Sequence, residues 1–211
     1  MKVFIIGVGN VGGGQVRSAI KAGHQVTVFA DGSQKLAEFV ADTGATSVSS
    51  VTEGAKGVDL IYLAIPAGAV AAVAAELKPV IGKATLIDGT NPLNSTYSDL
   101  EYKGESGAAD LQALLPEVAV VKAFNTVFAS RYATPSQNGH DLQVFIAGNN
   151  ETANSKVAEY AKSLGFDPVV LGGLRFAKSM EEMAFLNIAF NAAKGLTWQS
   201  AWSLTGPDGL K

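Results

Sequence analysis

Residues 7–12 read Gly7-Val8-Gly9-Asn10-Val11-Gly12, and three glycines at this spacing are suited to holding a pyrophosphate. Gly7 permits a tight turn, Gly9 lets the backbone approach an anion, and Gly12 lets the following helix pack closely on the preceding strand. The free amides at the helix start, around Asn10 and Val11, then face the phosphates. Asp31 ends a second apolar run, 19 residues beyond Gly12, where an acid accepts hydrogen bonds from the adenosine ribose hydroxyls. A carboxylate there repels a 2′-phosphate and favours NAD over NADP. Against that, Ser33 and Lys35 lie just beyond it and could take such a phosphate if Asp31 points away.

Little else in the chain suggests side-chain catalysis. There is no cysteine, and His24 and His140 are the only histidines. His24 falls at a helix-to-strand turn and reads as structural, as does His140 in a later loop. No tyrosine is followed four residues later by a lysine, which argues against the Tyr–Lys acid pair of short-chain dehydrogenases. No metal site is expected. Direct hydride transfer between a nicotinamide and a flat acceptor asks for orientation, close approach and exclusion of water rather than for acid or base.

The elements that must position these residues follow from periodicity. Short apolar runs near 2–6, 25–30, 58–64, 84–88, 117–122 and 142–147 alternate with helix-period segments, with weaker strands near 45–49 and 168–171. That alternation predicts βαβ units on a mostly parallel sheet. Val70, Val73, Ala74 and Leu77 repeat at helical spacing, as do Val157, Tyr160, Ala161 and Leu164, and both stripes read as core. The fold class expected is α/β, a Rossmann-type doubly wound sheet with a small C-terminal helical extension. Residues 1–150 would form the NAD(P)-binding domain, and 151–211 a smaller substrate or dimerisation part packed on it. The last helix, from about Phe176 to Ala193, carries Met180, Met183, Phe185, Leu186, Ile188 and Phe190 and leaves little polar face. A helix apolar all round needs cover all round, which predicts a homodimer.

Composition limits the partners. The 211 residues are 47% hydrophobic and 17% charged, enough apolar material for one compact domain without disulfides or metal. With 19 acidic against 16 basic side chains, net −3, and no basic run, nucleic acid is not an expected partner. The longest uncharged stretch lies between Asp59 and Glu76, shorter than the ~20 residues that span a bilayer, so no membrane association is expected. Glycines at 7, 9, 12, 13 and 14 break the apolar core of any signal peptide, and the protein is read as cytoplasmic.

Three further segments carry a family resemblance over nearly the whole chain. They are Leu63-Ala64-Ile65-Pro66 after the fourth strand, Asp88-Gly89-Thr90-Asn91-Pro92-Leu93 after the fifth, and Val121-Lys122-Ala123-Phe124-Asn125-Thr126 at the sixth. Together with Gly7–Gly12 the sequence resembles the small NADP oxidoreductases that depend on the deazaflavin coenzyme F-420. The resemblance implies that Ala64, Ile65, Pro66, Asn91, Pro92, Phe124 and Asn125 line the nicotinamide pocket. Ligands in open parallel sheets bind beyond the carboxyl ends of the strands, where all three segments fall. On this reading Asn91 and Asn125 orient the carboxamide or the acceptor, Pro66 and Phe124 press the rings together, and residues around Lys178–Met183 wall the acceptor side. Relatives often carry an Arg where Lys178 stands, and a Ser or Thr with an Arg where Ala30 and Asp31 stand. The family implies NADP, therefore, while Asp31 favours NAD. The function expected is NAD(P)-dependent hydride transfer to a deazaflavin or flavin-like small-molecule acceptor. The alternatives are a non-catalytic dinucleotide-binding redox sensor and a reductase of quinone, flavin or ferric chelate.

Overall fold

The computed structural model describes residues 1–30 and 32–206. Strand β1 (Lys2–Ile6) lies in the middle of the sheet and is buried from Val3 onward. It pairs in parallel with β2 (Gln25–Phe29) on one side and β4 (Leu60–Leu63) on the other. The short β3 (Thr46–Ser47) extends the sheet beyond β2, while β5 (Thr85–Asp88) and β6 (Val120–Ala123) extend it beyond β4. The order β3-β2-β1-β4-β5-β6 is that of a doubly wound dinucleotide-binding sheet, and it reverses between β1 and β4. Two more strands complete eight: β9 (Gln143–Gly148) runs antiparallel to β6, and β10 (Asp167–Gly172) runs parallel to β9. The one sheet therefore continues across residue 150.

Successive side chains of a strand point to opposite faces, so each strand feeds two cores. Val3 and Ile5 join Val16 and Ala19 of helix α1 (Asn10–Lys21) and Val157, Tyr160 and Ala161 of α6 (Glu151–Ser163). Phe4 and Ile6 join Val51 of α3 (Val51–Gly54), Leu77 of α4 (Val70–Leu77) and Leu111 of α5 (Gly107–Leu114) on the other face. Helix α2 (Ser33–Thr43) follows β2. Between β6 and β9 lies a small hairpin, β7 (Ser136–Gln137) with β8 (His140–Asp141). Asn138 and Gly139 turn it at φ 54° and 80°. Asn-Gly is the dipeptide that such a turn favours, because both positions need positive φ.

The last helix, α7 (Ala177–Lys194), buries Met180, Glu181, Ala184, Asn187 and Asn191. Leu186 and Phe190 stay 58% and 52% exposed. Part of its cover is the chain itself, which folds back after Gly195: Trp202 Nε1 donates to the Met183 carbonyl at 2.9 Å. The Ser200 hydroxyl also bonds with Asn187 and Asn191. His24 sits at the amino-terminal end of the sheet, sharing hydrogen bonds with the Met1 ammonium and Ser163. Burial and that ammonium lower its pKa.

Candidate functional site

The turn between β1 and α1 is built from glycines because a larger side chain would collide with its neighbours. Gly7 has φ +94°, and a Cβ on it would lie 2.3 Å from the Ala64 carbonyl oxygen at the end of β4. A Cβ on Gly12 would lie 1.9 Å from the Gly7 carbonyl oxygen and 3.0 Å from the Ala64 Cβ. Gly9 is the opposite case: its Cβ would meet no described atom within 4 Å, so this backbone faces open space. As the N-cap of α1, Gly9 offers no side-chain hydrogen bond, and the first turn of the helix carries no acid. The uncapped amides and the positive end of the helix dipole are thus left for an anion.

A cleft of about 1040 Å³ runs from this turn along the carboxyl ends of β4, β5 and β6. Val11, Ala64, Ile65, Pro66, Asn91, Pro92, Phe124 and Asn125 all line it. Gly7, Gly9, Asn10 and Gly12 form the turn from which Val11 enters. Asp31 lies outside the described residues. Ser33 and Lys35 are in the first turn of α2, and their side chains lie outside the described part as well.

The two asparagines form one unit. Asn91 Nδ2 donates to the Asn125 carbonyl at 2.9 Å, and Asn125 Nδ2 donates to Asn91 Oδ1 and to the Met180 carbonyl, both at 3.0 Å. Both amide hydrogens of Asn125 are committed, which fixes its orientation. Its Oδ1 is buried with no hydrogen-bond partner among the described residues. A buried carbonyl left unpaired costs about 1–3 kcal/mol. The open side of Gly9 and the uncapped start of α1 fit the pyrophosphate of a dinucleotide.

The Phe124 ring does not lie open to the cleft. It is 1% exposed and sits among Tyr62, Tyr132, Tyr160 and Phe166, with ring centroids 5.8–6.3 Å apart. Its backbone takes φ 65°, uncommon for an aromatic residue, and that left-handed step turns the chain so that Asn125 follows at the cleft. Phe124 supports the floor from beneath, and the expected pressing of the rings falls to other walls. Burial pushes the pKa of all three neighbouring tyrosines up, so they remain neutral phenols. Tyr62 and Tyr132 share a hydrogen bond of 3.2 Å.

Behind the asparagines lies a buried ion network. Lys122 Nζ contacts Asp88 Oδ2 at 3.0 Å, Glu181 Oε1 at 2.9 Å and the Thr90 carbonyl at 2.7 Å, and all three charged side chains are at most 1% exposed. Burial alone would lower the pKa of the lysine, but the two carboxylates outweigh it and hold the ammonium above its usual range. A signal for this network existed in the sequence: Asp88 and Lys122 are opposite charges in two otherwise apolar runs, and the structure puts them directly in register. Lys178 is exposed and lies over the Tyr102 ring at 5.7 Å, while Ala184 and Ile188 provide the α7 side of the cleft. Leu111 and Leu114 of α5 line it too. On the rim, the Asp110 carboxylate is taken by the backbone amides of Lys103 and Gly104.

Comparison with known proteins agrees with this architecture. Residues 2–92 match the family model described as NADP oxidoreductase, coenzyme F420-dependent, so the family resemblance carried by the motifs is shown over that segment. A crystal structure from Arthrobacter sp. FB24, provisionally described as an F420-dependent NADP-reductase, superposes with a TM-score of 0.86 at 26% identity. It covers 97% of this chain and 99% of its own. An imine reductase from Streptomyces aurantiacus shares the fold at 16% identity and TM-score 0.69, over 92% of this chain and 64% of its own. Metalloreductase STEAP3 of Rattus norvegicus is 27% identical over 183 residues, 85% of this chain. This chain spans 36% of the length of that relative. Among the described residues no helix is long and apolar enough to cross a membrane.

Gly12→Ala tests the turn directly. With its new Cβ on the Gly7 carbonyl, α1 must move off the end of β4. A titration should show dinucleotide affinity falling at least about tenfold, with the Tm lowered by a few degrees. Unchanged affinity would mean that the turn does not hold the ligand.

Proposed function

We propose that the protein is an NAD(P)-dependent oxidoreductase that transfers a hydride between a nicotinamide dinucleotide and a flat, flavin-like or deazaflavin acceptor. The observation that carries this reading is one continuous cleft that runs from the uncapped glycine turn past Asn91 and Asn125 to the apolar wall of Leu111, Ala184 and Ile188. The family description and the Arthrobacter relative support the same chemistry.

The dinucleotide, when bound, supplies or accepts the hydride. What this chain contributes is placement. The turn at Gly7–Gly12 and the start of α1 hold the pyrophosphate, and Asn91 and Asn125 orient the carboxamide. Pro66, Ile65 and the apolar α5 and α7 walls bring the acceptor close and keep water out. The hydride carries both electrons to the acceptor ring, and one proton taken from solvent at the open cleft completes the reduced ring, so the walls named above need supply only orientation and close approach. The metalloreductase relatives favour a second reading, in which the final acceptor is a ferric chelate, reached directly or through a flavin.

Anaerobic mixing with NADH or NADPH and the deazaflavin coenzyme should bleach the deazaflavin absorbance. Reduction of only flavin or ferric chelate would select the second reading, and tight binding with no acceptor reduced would leave a redox sensor. Asn125→Ala should lower kcat far more than it raises the dinucleotide Kd, whereas equal losses would make the residue a binding contact only. Asp31 favours NADH, and Asp31→Ser should raise the NADPH-to-NADH ratio of kcat/KM by about tenfold. A homodimer through the exposed Leu186 and Phe190 of α7 is part of the same proposal, and a strictly monomeric light-scattering profile at micromolar concentration would remove it.

A further inference from the structure

A hydride passes between two ring faces, so an acceptor lying on the nicotinamide leaves its second face for the protein to cover. The aliphatic side chains of Leu111, Ala184 and Ile188 present no flat surface to it. Tyr97 lines the same cleft, on the segment after β5, two strands away from the glycine turn after β1. Its side chain is 71% exposed, more than any other large hydrophobic side chain among the described residues. The other four tyrosines are engaged: Tyr62, Tyr132 and Tyr160 are buried against other rings, and Tyr102 carries Lys178. Among the described residues no ring and no cation packs on Tyr97. A ring left in water adds nothing to the core.

The loop that carries this ring is closed on itself. Leu93 and Leu100 pair across its neck, and the Asn94 amide donates to the Asp99 carbonyl at 2.9 Å. Inside it, Asn94 Oδ1 accepts from the Ser98 amide at 2.9 Å, and the Tyr97 amide donates to the Asn94 carbonyl at 3.0 Å. Tyr97 itself takes φ 57°, uncommon for an aromatic residue, so the turn holds the ring out at the cleft instead of folding it into the core. We propose that Tyr97 is the stacking residue for the acceptor: its ring covers the acceptor face turned away from the nicotinamide, and so favours a flat, fused-ring acceptor over a compact metal chelate. The inference rests on the reading of this cleft as a hydride-transfer site. Stacking rewards an extended π face, which a ferric chelate of aliphatic ligands lacks.

Binding titrations on the whole protein test this, with NAD+ or NADP+, whichever binds more tightly, held at saturation and the oxidised deazaflavin coenzyme and riboflavin as probes. Tyr97→Leu keeps apolar bulk but loses the flat ring, and it should weaken probe binding about tenfold. Tyr97→Phe should stay within about twofold of the native protein. The dinucleotide Kd and the Tm should be unchanged in both variants, because the side chain is exposed and distant in the fold from the glycine turn. Native probe affinity in Tyr97→Leu would overturn the stacking role while leaving the hydride-transfer reading intact. An equal loss in Tyr97→Phe would assign the effect to the hydroxyl and overturn stacking as well. If the native protein binds the dinucleotide but neither probe, the flat acceptor falls, and the role of Tyr97 with it. If it binds no dinucleotide, the reading of the cleft itself is overturned.

Discussion

Lys122 carries a full charge into the middle of an apolar sheet, and the functional end of the molecule is organised around it. Taking an ammonium out of water costs several kcal/mol, which only close and complete pairing can offset. Here the pairing is complete: two carboxylates and a backbone carbonyl receive the three donors of the lysine. Asp88 spends its other oxygen on the Thr90 amide and hydroxyl, at 3.0 and 2.6 Å, and Glu181 takes the first amides of α5. The network leaves a net negative charge inside the protein, and those amides and the α5 dipole are what stabilise it. Losing one member of such a set typically costs about 3–5 kcal/mol, because the survivors stay buried and unpaired. The value of the arrangement lies in geometry as much as in stability, since it fixes the ends of two strands and the starts of two helices relative to one another.

The cleft inherits that geometry. Thr90 leads directly into Asn91, Lys122 is three residues before Asn125, and Glu181 follows Met180, so each member of the network stands next to a member of the asparagine pair or its support. Beneath them the aromatic group of Tyr62, Phe124, Tyr132, Tyr160 and Phe166 holds the left-handed Phe124 in place. A φ of 65° for a bulky residue survives only when its surroundings overdetermine it, and strain of this kind concentrates at binding sites. The unpaired Asn125 oxygen and the uncommon Phe124 backbone step are adjacent, and both carry a cost that the surrounding packing and the ion network offset.

The opposite end of the cleft is governed by space rather than charge. Gly7 and Gly12 are places where chain meets chain, while Gly9 borders emptiness. One motif therefore contains two kinds of glycine, two that let the protein approach itself and one that lets something else approach it.

Much of this was determined by sequence alone, for a physical reason: period-2 and period-3.6 patterns and the glycine turn are local, and a parallel sheet with strand-end binding follows from their alternation. The strands near 2–6, 25–30, 58–64, 84–88, 117–122 and 142–147 and the core stripes of α4 and α6 were legible in that way, whereas the cleft residues from Ala64 to Asn125 were named through the family resemblance of their segments. The antiparallel setting of β9 was not, since pairing direction is decided by how the connection after β6 folds back. Nor was the burial of the Phe124 ring, which depends on aromatics supplied by β4, α6 and the loops that carry Tyr132 and Phe166, or the cover given to α7 by its own tail. Above all, a lysine in one strand, an aspartate in another and a glutamate more than fifty residues later are separate facts in the sequence. Tertiary structure alone makes them one interaction, because Coulomb energy depends on distance and desolvation, and neither exists until the chain has folded.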